Sequence, residues 1–172
     1  LARGAIKEVI VEYSGEILNY NVAPITISML KGMLTPILNE NVNYINATVV
    51  AKERGIRVVE SKSSEVKDYT SMITVNIKTS HETISAAGAL FGRQDLRIVR
   101  LNKFTVEVIP EGHMLVLYNN DRPGVIGNIG TTLGENNLNI ARLHLSREQV
   151  DKQALVVLTT DTLVPETVLE KL

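Results

Sequence analysis

The 172-residue chain has no cysteine and no tryptophan, and aromatic residues make up only 4% of it. Without cysteine there are no disulfides, no thiolate metal sites and no cysteine nucleophile. That composition suits a reducing compartment. The scarcity of aromatic rings removes the platforms on which nucleic-acid bases stack. A net charge of −1 supplies no basic surface for nucleic acid or an anionic membrane. No apolar run approaches the ~20 residues of a membrane span, and no signal peptide is visible. Neither nucleic acid nor membrane is therefore expected as a partner. Catalytic motifs are missing too, with no G-x-S-x-G turn and no Walker-type loop. His81, His113 and His144 have no ligand spacing, so neither a catalytic nor a metal site is expected.

What is present is an ordinary globular composition, 44% hydrophobic, at a length that suits one large or two small domains. Residues 5–13 are rich in β-branched side chains and read as a strand. Ile25, Met29, Met33 and Ile37 recur at helical spacing, which predicts a helix over 23–38 that Pro36 kinks or shortens. Val42, Ile45 and Val49 predict a second helix over 41–54, stopped by Gly55. Strand patterns follow at 56–60, 73–77, 81–90, 96–101 and 104–109, the last two joined by Asn102-Lys103 as a hairpin. Pro110-Glu111-Gly112 is the expected linker. Beyond it the patterns run strand 113–119, helix 123–135, strands 138–146 and 153–160, and helix 165–172. This βαββα order lacks one strand of the split βαββαβ pattern. The chain also opens without Met, almost directly in a strand. A longer parent protein is expected, and the fold class is α+β with domains at 1–110 and 113–172.

The stretch from Leu115 to Ile140 carries the chemistry. A strand stops at Asn119-Asn120-Asp121, and Pro123-Gly124 opens a helix. The unpaired N–H groups of such a helix end attract a carboxylate, while Asp121 would hold an ammonium. If strand 138–146 runs beside strand 113–119, Asn139 returns close to this turn, where an amide both donates and accepts. The pattern fits a free amino acid. Gly124, Gly127 and Gly130 follow G-x-x-G-x-x-G, not G-x-G-x-x-G, and no acidic residue stands ready for a ribose, so a dinucleotide is not expected. The run RQDLRIVRLNK offers Arg93, Arg97 and Lys103 as a candidate anion site, set against an ordinary solvated strand face.

NNDRPGVIGNIGTTLGENNLNI resembles the ACT domain, a small amino-acid-binding regulatory module. VEYSGEI, ISMLKGMLTPIL and NYINATVVAKERGI resemble the allosteric substrate-binding, or intervening, domain of long-form D-3-phosphoglycerate dehydrogenases. The resemblance implies the regulatory part of a cytoplasmic, NAD-dependent enzyme of serine biosynthesis. NAD would be held elsewhere, with no cofactor in this fragment. It implies ferredoxin-like ACT topology without the last strand, self-association as homodimer or homotetramer, and L-serine bound between two ACT domains. The serine contacts fall on Asn119, Asp121 and Asn139, with backbone from Gly124 and Val125. Asn119 stands where family members often carry His or Tyr. The family's second anion site maps on Arg97 and Lys103, and Glu107 stands at one of its basic positions. Two other readings are a regulatory part of an iron–sulfur L-serine dehydratase, and a purely oligomerising module.

Overall fold

The computed structural model describes residues 4–38, 41–63, 69–92, 94–148 and 152–172. They form two compact units, Leu1–Leu96 and Arg97–Leu172.

In the first unit, β1 (Ile6–Gly15) lies between β2 (Arg57–Ser63) and β3 (Ser71–Thr79), and β4 (Thr83–Phe91) pairs with β3. β1 runs parallel to β2 and antiparallel to β3. The crossover between β1 and β2 carries α1 (Ala23–Leu34) and α2 (Ala47–Glu53). Strand alternation puts Val9, Val11 and Tyr13 on one face, where they are fully buried with Leu30, Leu34, Val50 and Ala51. Burying each large aliphatic side chain here is worth about 1.5–3 kcal/mol. The Tyr13 hydroxyl lies 2.8 Å from Thr26 Oγ1, which donates to Glu60 Oε1. Burial pushes the Tyr13 phenol above its ordinary pKa.

α1 stops at Leu34, ahead of Pro36, as a proline stop requires. α2 is half its expected length, and its buried face is Ala47, Val50 and Ala51. Ile45 is 90% exposed and Val49 52%, so of the expected apolar face only Val42 is buried. The cause is local. Asn43 Oδ1 accepts from the Ile45 and Asn46 N–H groups, and Asn46 Oδ1 accepts from the Asn43 N–H. These side chains capture the backbone donors that an earlier helix start would use.

On the opposite face of β1, Glu8 sits 2.6 Å from Lys78 Nζ and 3.3 Å from Arg57 Nη1. The hydrogen bond from Lys78 holds the Glu8 carboxyl below its usual value of 4.5. A carboxyl depressed in the folded state stabilises fully above its unfolded pKa and loses that contribution as pH falls through the folded one. Glu8→Gln is therefore expected to lower the thermal midpoint at pH 7, with the gap to the parent shrinking below about pH 4.5. Melting curves from pH 7 to pH 3 check this, and a gap that widens on acidification would contradict it.

The second unit holds all but the first two residues of the hairpin of β5 (Asp95–Leu101) and β6 (Phe104–Val108), whose Asn102-Lys103 turn matches the expected one. It continues with β7 (His113–Asn120), α3 (Val125–Glu135), β8 (Ile140–Glu148), β9 (Gln153–Thr160) and a single turn, α4 (Glu166–Leu169). The three-stranded sheet has the order β7-β9-β8, with β9 antiparallel to both neighbours. This is the ferredoxin-like βαββα arrangement of an α+β domain. β9 is buried on both faces. Val156 and Leu158 pack with Ile129 and Leu133 of α3, whereas Leu155 and Val157 pack with Phe104, Val106 and Val108 of the hairpin. The expected division at Pro110–Gly112 thus differs from the compact units by one hairpin. Phe104, Val106 and Val108 alternate inward and need an apolar surface, and β9 supplies it.

Candidate functional site

The helix-side corner of the second sheet gathers most of the polar chemistry. Asn119 follows Leu115 and Leu117 on the face that meets α3. Its Nδ2 is buried and has no hydrogen-bond partner. A buried amide donor without an acceptor costs about 1–3 kcal/mol. Asn119, Val125, Asn128 and Thr132 line a cavity of about 390 Å³ beside α3. Gly124 caps α3 with φ 91° and contributes no side-chain capping bond. A Cβ there would meet nothing within 4 Å. No side chain caps the first turn of α3, and of its N–H groups that of Val125 donates to the Arg122 carbonyl at 3.4 Å.

Asp121 is held at this corner by its backbone N–H, which donates to the Lys152 carbonyl at 2.8 Å. Its Oδ1 lies 3.0 Å from Arg147 Nη2. The register explains this pair. Asn119 and Arg147 both stand opposite Ala154 of β9, so the three side chains form one row on the α3 face. β7 and β8 are two strand spacings apart, about 9.6 Å. The small Ala154 leaves the long Arg147 side chain free to reach across it.

Asn139 does not return to this turn. With β9 between them, β7 and β8 run parallel, and Asn139 precedes the end of β8 that pairs with Thr160. Asn119 lies at the other end of the sheet, opposite Ala154. The separation along β9 is roughly 20 Å. Asn139 instead donates to Asp161 Oδ2 at 2.9 Å. Within one chain the expected Asn119–Asp121–Asn139 grouping is thus corrected to Asn119, Asp121 and Arg147. Arg147 escaped the sequence reading because only the strand order reveals its neighbour.

Of the candidate anion site, Arg97 and Lys103 stand at opposite ends of β5. Arg93 lies outside the described residues. Arg97 sits near the start of β5, 3.9 Å from Glu107 Oε1. Lys103 is in the hairpin turn, with its Nζ 5.6 Å from the centre of the Phe104 ring. The length of β5 separates the two, by roughly 15–20 Å.

The surroundings of α3 differ from a nucleotide-binding βαβ unit. The strand after the helix is separated from β7 by β9, so no adjacent parallel βαβ unit forms. Asn139 and Arg142 also stand where an acidic residue would hold a ribose. Among the described residues, no cluster of His, Asp and Glu could hold a metal ion. No described helix is long and apolar enough to cross a membrane.

Two known protein families match successive parts of the chain. Residues 1–102 match the D-3-phosphoglycerate dehydrogenase intervening domain, and residues 113–172 match the ACT domain. The chain is 37% identical over 173 residues to D-3-phosphoglycerate dehydrogenase of Synechocystis sp., covering 100% of this chain and 31% of that protein. It is 38% identical to that of Archaeoglobus fulgidus, covering 98% and 32%, and 36% identical to that of Methanocaldococcus jannaschii, covering 98% and 32%. The chain thus spans about a third of the length of these curated relatives.

Proposed function

The chain belongs to the D-3-phosphoglycerate dehydrogenase intervening-domain family, here joined to an ACT domain, and from that premise we propose that it is the regulatory, non-catalytic part of such an enzyme. The parent enzyme would oxidise D-3-phosphoglycerate with NAD in the cytoplasm, at the start of serine biosynthesis, and hold its NAD outside this fragment. The ACT domain would bind L-serine, the end product, between two copies.

One observation carries the reading: the unpartnered, buried Nδ2 of Asn119 stands at the same corner as the Asp121 carboxylate and the uncapped start of α3. Asn119 and the α3 N–H groups supply donors for a carboxylate, with backbone from Gly124 and Val125. Asp121 supplies an acceptor for an ammonium. An amino acid brings both groups.

An exposed sheet edge supports self-association at the same site. β8 is an edge strand of the described sheet, and Leu143 and Leu145 on its helix-side face are 39% and 42% exposed. Edge strands invite pairing, and a two-fold dimer would match β8 with itself in antiparallel fashion. Pairing centred on the middle of β8 puts Asn139 of the partner subunit beside the Arg147–Glu148 end of the first copy. That end adjoins Asp121. Asn139, remote within its own chain, would then complete the site across the interface. A ligand touching both copies favours one arrangement of the pair, and coupling of this kind is typically ~1–3 kcal/mol. In the parent enzyme that bias would lower turnover.

Titration calorimetry of this chain with L-serine, glycine and D-serine tests the reading. Heat with L-serine, and weaker binding of the other two, is expected. A confirmed dimer that gives no heat with L-serine points to the purely oligomerising reading instead.

A further inference from the structure

The Arg147–Asp121 ion pair lies inside the proposed effector site, and nothing in that reading assigns Arg147 a part. Resting on that reading, we infer that Arg147 is a ligand-binding residue that takes the carboxylate of the bound amino acid, so that the pair opens to accept a zwitterion.

The argument starts from charge balance. Asp121 is the acceptor available to a ligand ammonium at this corner, and Arg147 Nη2 already lies 3.0 Å from its Oδ1. An incoming ammonium shares or displaces that contact. Either way a guanidinium is left without its full counter-ion, next to a second cation. A ligand carboxylate restores the balance. An amine without a carboxylate would leave two cations on one carboxylate, and an acid without an amine would leave two anions on one guanidinium. The pair therefore selects for a molecule that carries both charges a short distance apart, which is the defining feature of an α-amino acid.

The geometry allows the exchange. Arg147 and Asn119 flank the small, buried Ala154 in one row. The Arg147 side chain is 64% exposed and that of Asp121 29%, so the arginine swings aside without breaking a packed core. Exposed ion pairs of this kind hold weakly, so opening this one is cheap. A guanidinium offers parallel N–H donors that match a carboxylate bidentately, whereas its contact with Asp121 is a single one. The unpartnered Asn119 Nδ2 donor lies in the same row, on the other side of Ala154.

The test uses the chain as described, with L-serine, L-serinamide and 3-hydroxypropionate as probes in titration calorimetry. L-serinamide keeps the ammonium and lacks the carboxylate, and 3-hydroxypropionate has the reverse. The parent chain should bind L-serine and bind the other two at least ten-fold more weakly. Arg147→Ala should weaken L-serine ten-fold or more while leaving L-serinamide unchanged or improved, so the preference between them collapses. Arg147→Lys should recover part of it. A merely structural role would weaken all probes alike, and that result overturns the inference. Unchanged or tighter L-serine binding by Arg147→Ala also overturns it while leaving the effector site intact. No L-serine binding by the parent chain overturns the site reading and the inference together.

Discussion

Asp121→Ala is expected to lower L-serine affinity about ten- to a hundred-fold, because it removes a charge-assisted contact worth roughly 1.5–3 kcal/mol. The fold should survive. The side chain is partly exposed, and its ion pair with Arg147 contributes little on its own. Asn139→Ala is expected to cost a similar order of affinity, although Asn139 lies at the opposite end of the sheet in the same chain. The two losses have different owners in a two-fold dimer. Each site takes Asp121 from one copy and Asn139 from the other. Mixing Asp121→Ala chains with Asn139→Ala chains should therefore restore binding. A mixed dimer holds one site with both residues intact and one with both removed. Random exchange of subunits makes half the dimers mixed, so about a quarter of the sites should regain parental affinity. Calorimetric stoichiometry after denaturation and co-refolding reads this directly. No recovery, with mixed dimers confirmed by mass spectrometry, would remove Asn139 from the site.

The turn at Asn119–Gly124 was legible because its signals are local. Polar residues end β7, and a glycine with φ 91° begins α3. The β5–β6 hairpin was legible for the same reason, since Asn102, with φ 50°, accepts the left-handed conformation that a two-residue turn needs. What could not be read was order. Whether β8 lies beside β7 or beyond β9 is decided by burial of the whole sheet, not by any short pattern. That one fact moves Asn139 away and brings Arg147 in. Similarly, the packing of the β5–β6 hairpin on β9 depends on Phe104, Val106 and Val108 meeting Leu155 and Val157, a pairing across some fifty residues of sequence. The shortened α2 is different. Its cause is local, but Asn43 and Asn46 compete through side-chain hydrogen bonds that hydrophobic periodicity does not register.

Gly15→Ala should be among the most damaging single substitutions in the first unit. Gly15 ends β1 with φ 83° and ψ −152°, a region that side-chain-bearing residues almost never occupy. Strain of that kind costs on the order of 1–3 kcal/mol. Space is the second problem. A Cβ at Gly15 would sit 2.1 Å from the Thr70 carbonyl oxygen and 2.9 Å from its carbon. That carbonyl cannot simply withdraw, because it accepts the Glu16 N–H at 2.9 Å and adjoins Ser71, which pairs with Gly15 across β1 and β3. Relieving the clash means breaking this end of the sheet. The two costs together should reach roughly 2–4 kcal/mol, enough to lower the thermal midpoint by roughly 10–20 °C for a unit of this size. Gly55 separates the causes. It also has positive φ, 70°, but a Cβ there meets nothing within 4 Å. Gly55→Ala should therefore show the conformational cost alone, about 1–2 kcal/mol. Equal effects of the two substitutions in thermal or urea unfolding would mean that the approach of Thr70, which only glycine permits, carries no energetic weight. A Gly15→Ala loss well beyond that of Gly55→Ala is what a backbone contact without room for a Cβ predicts.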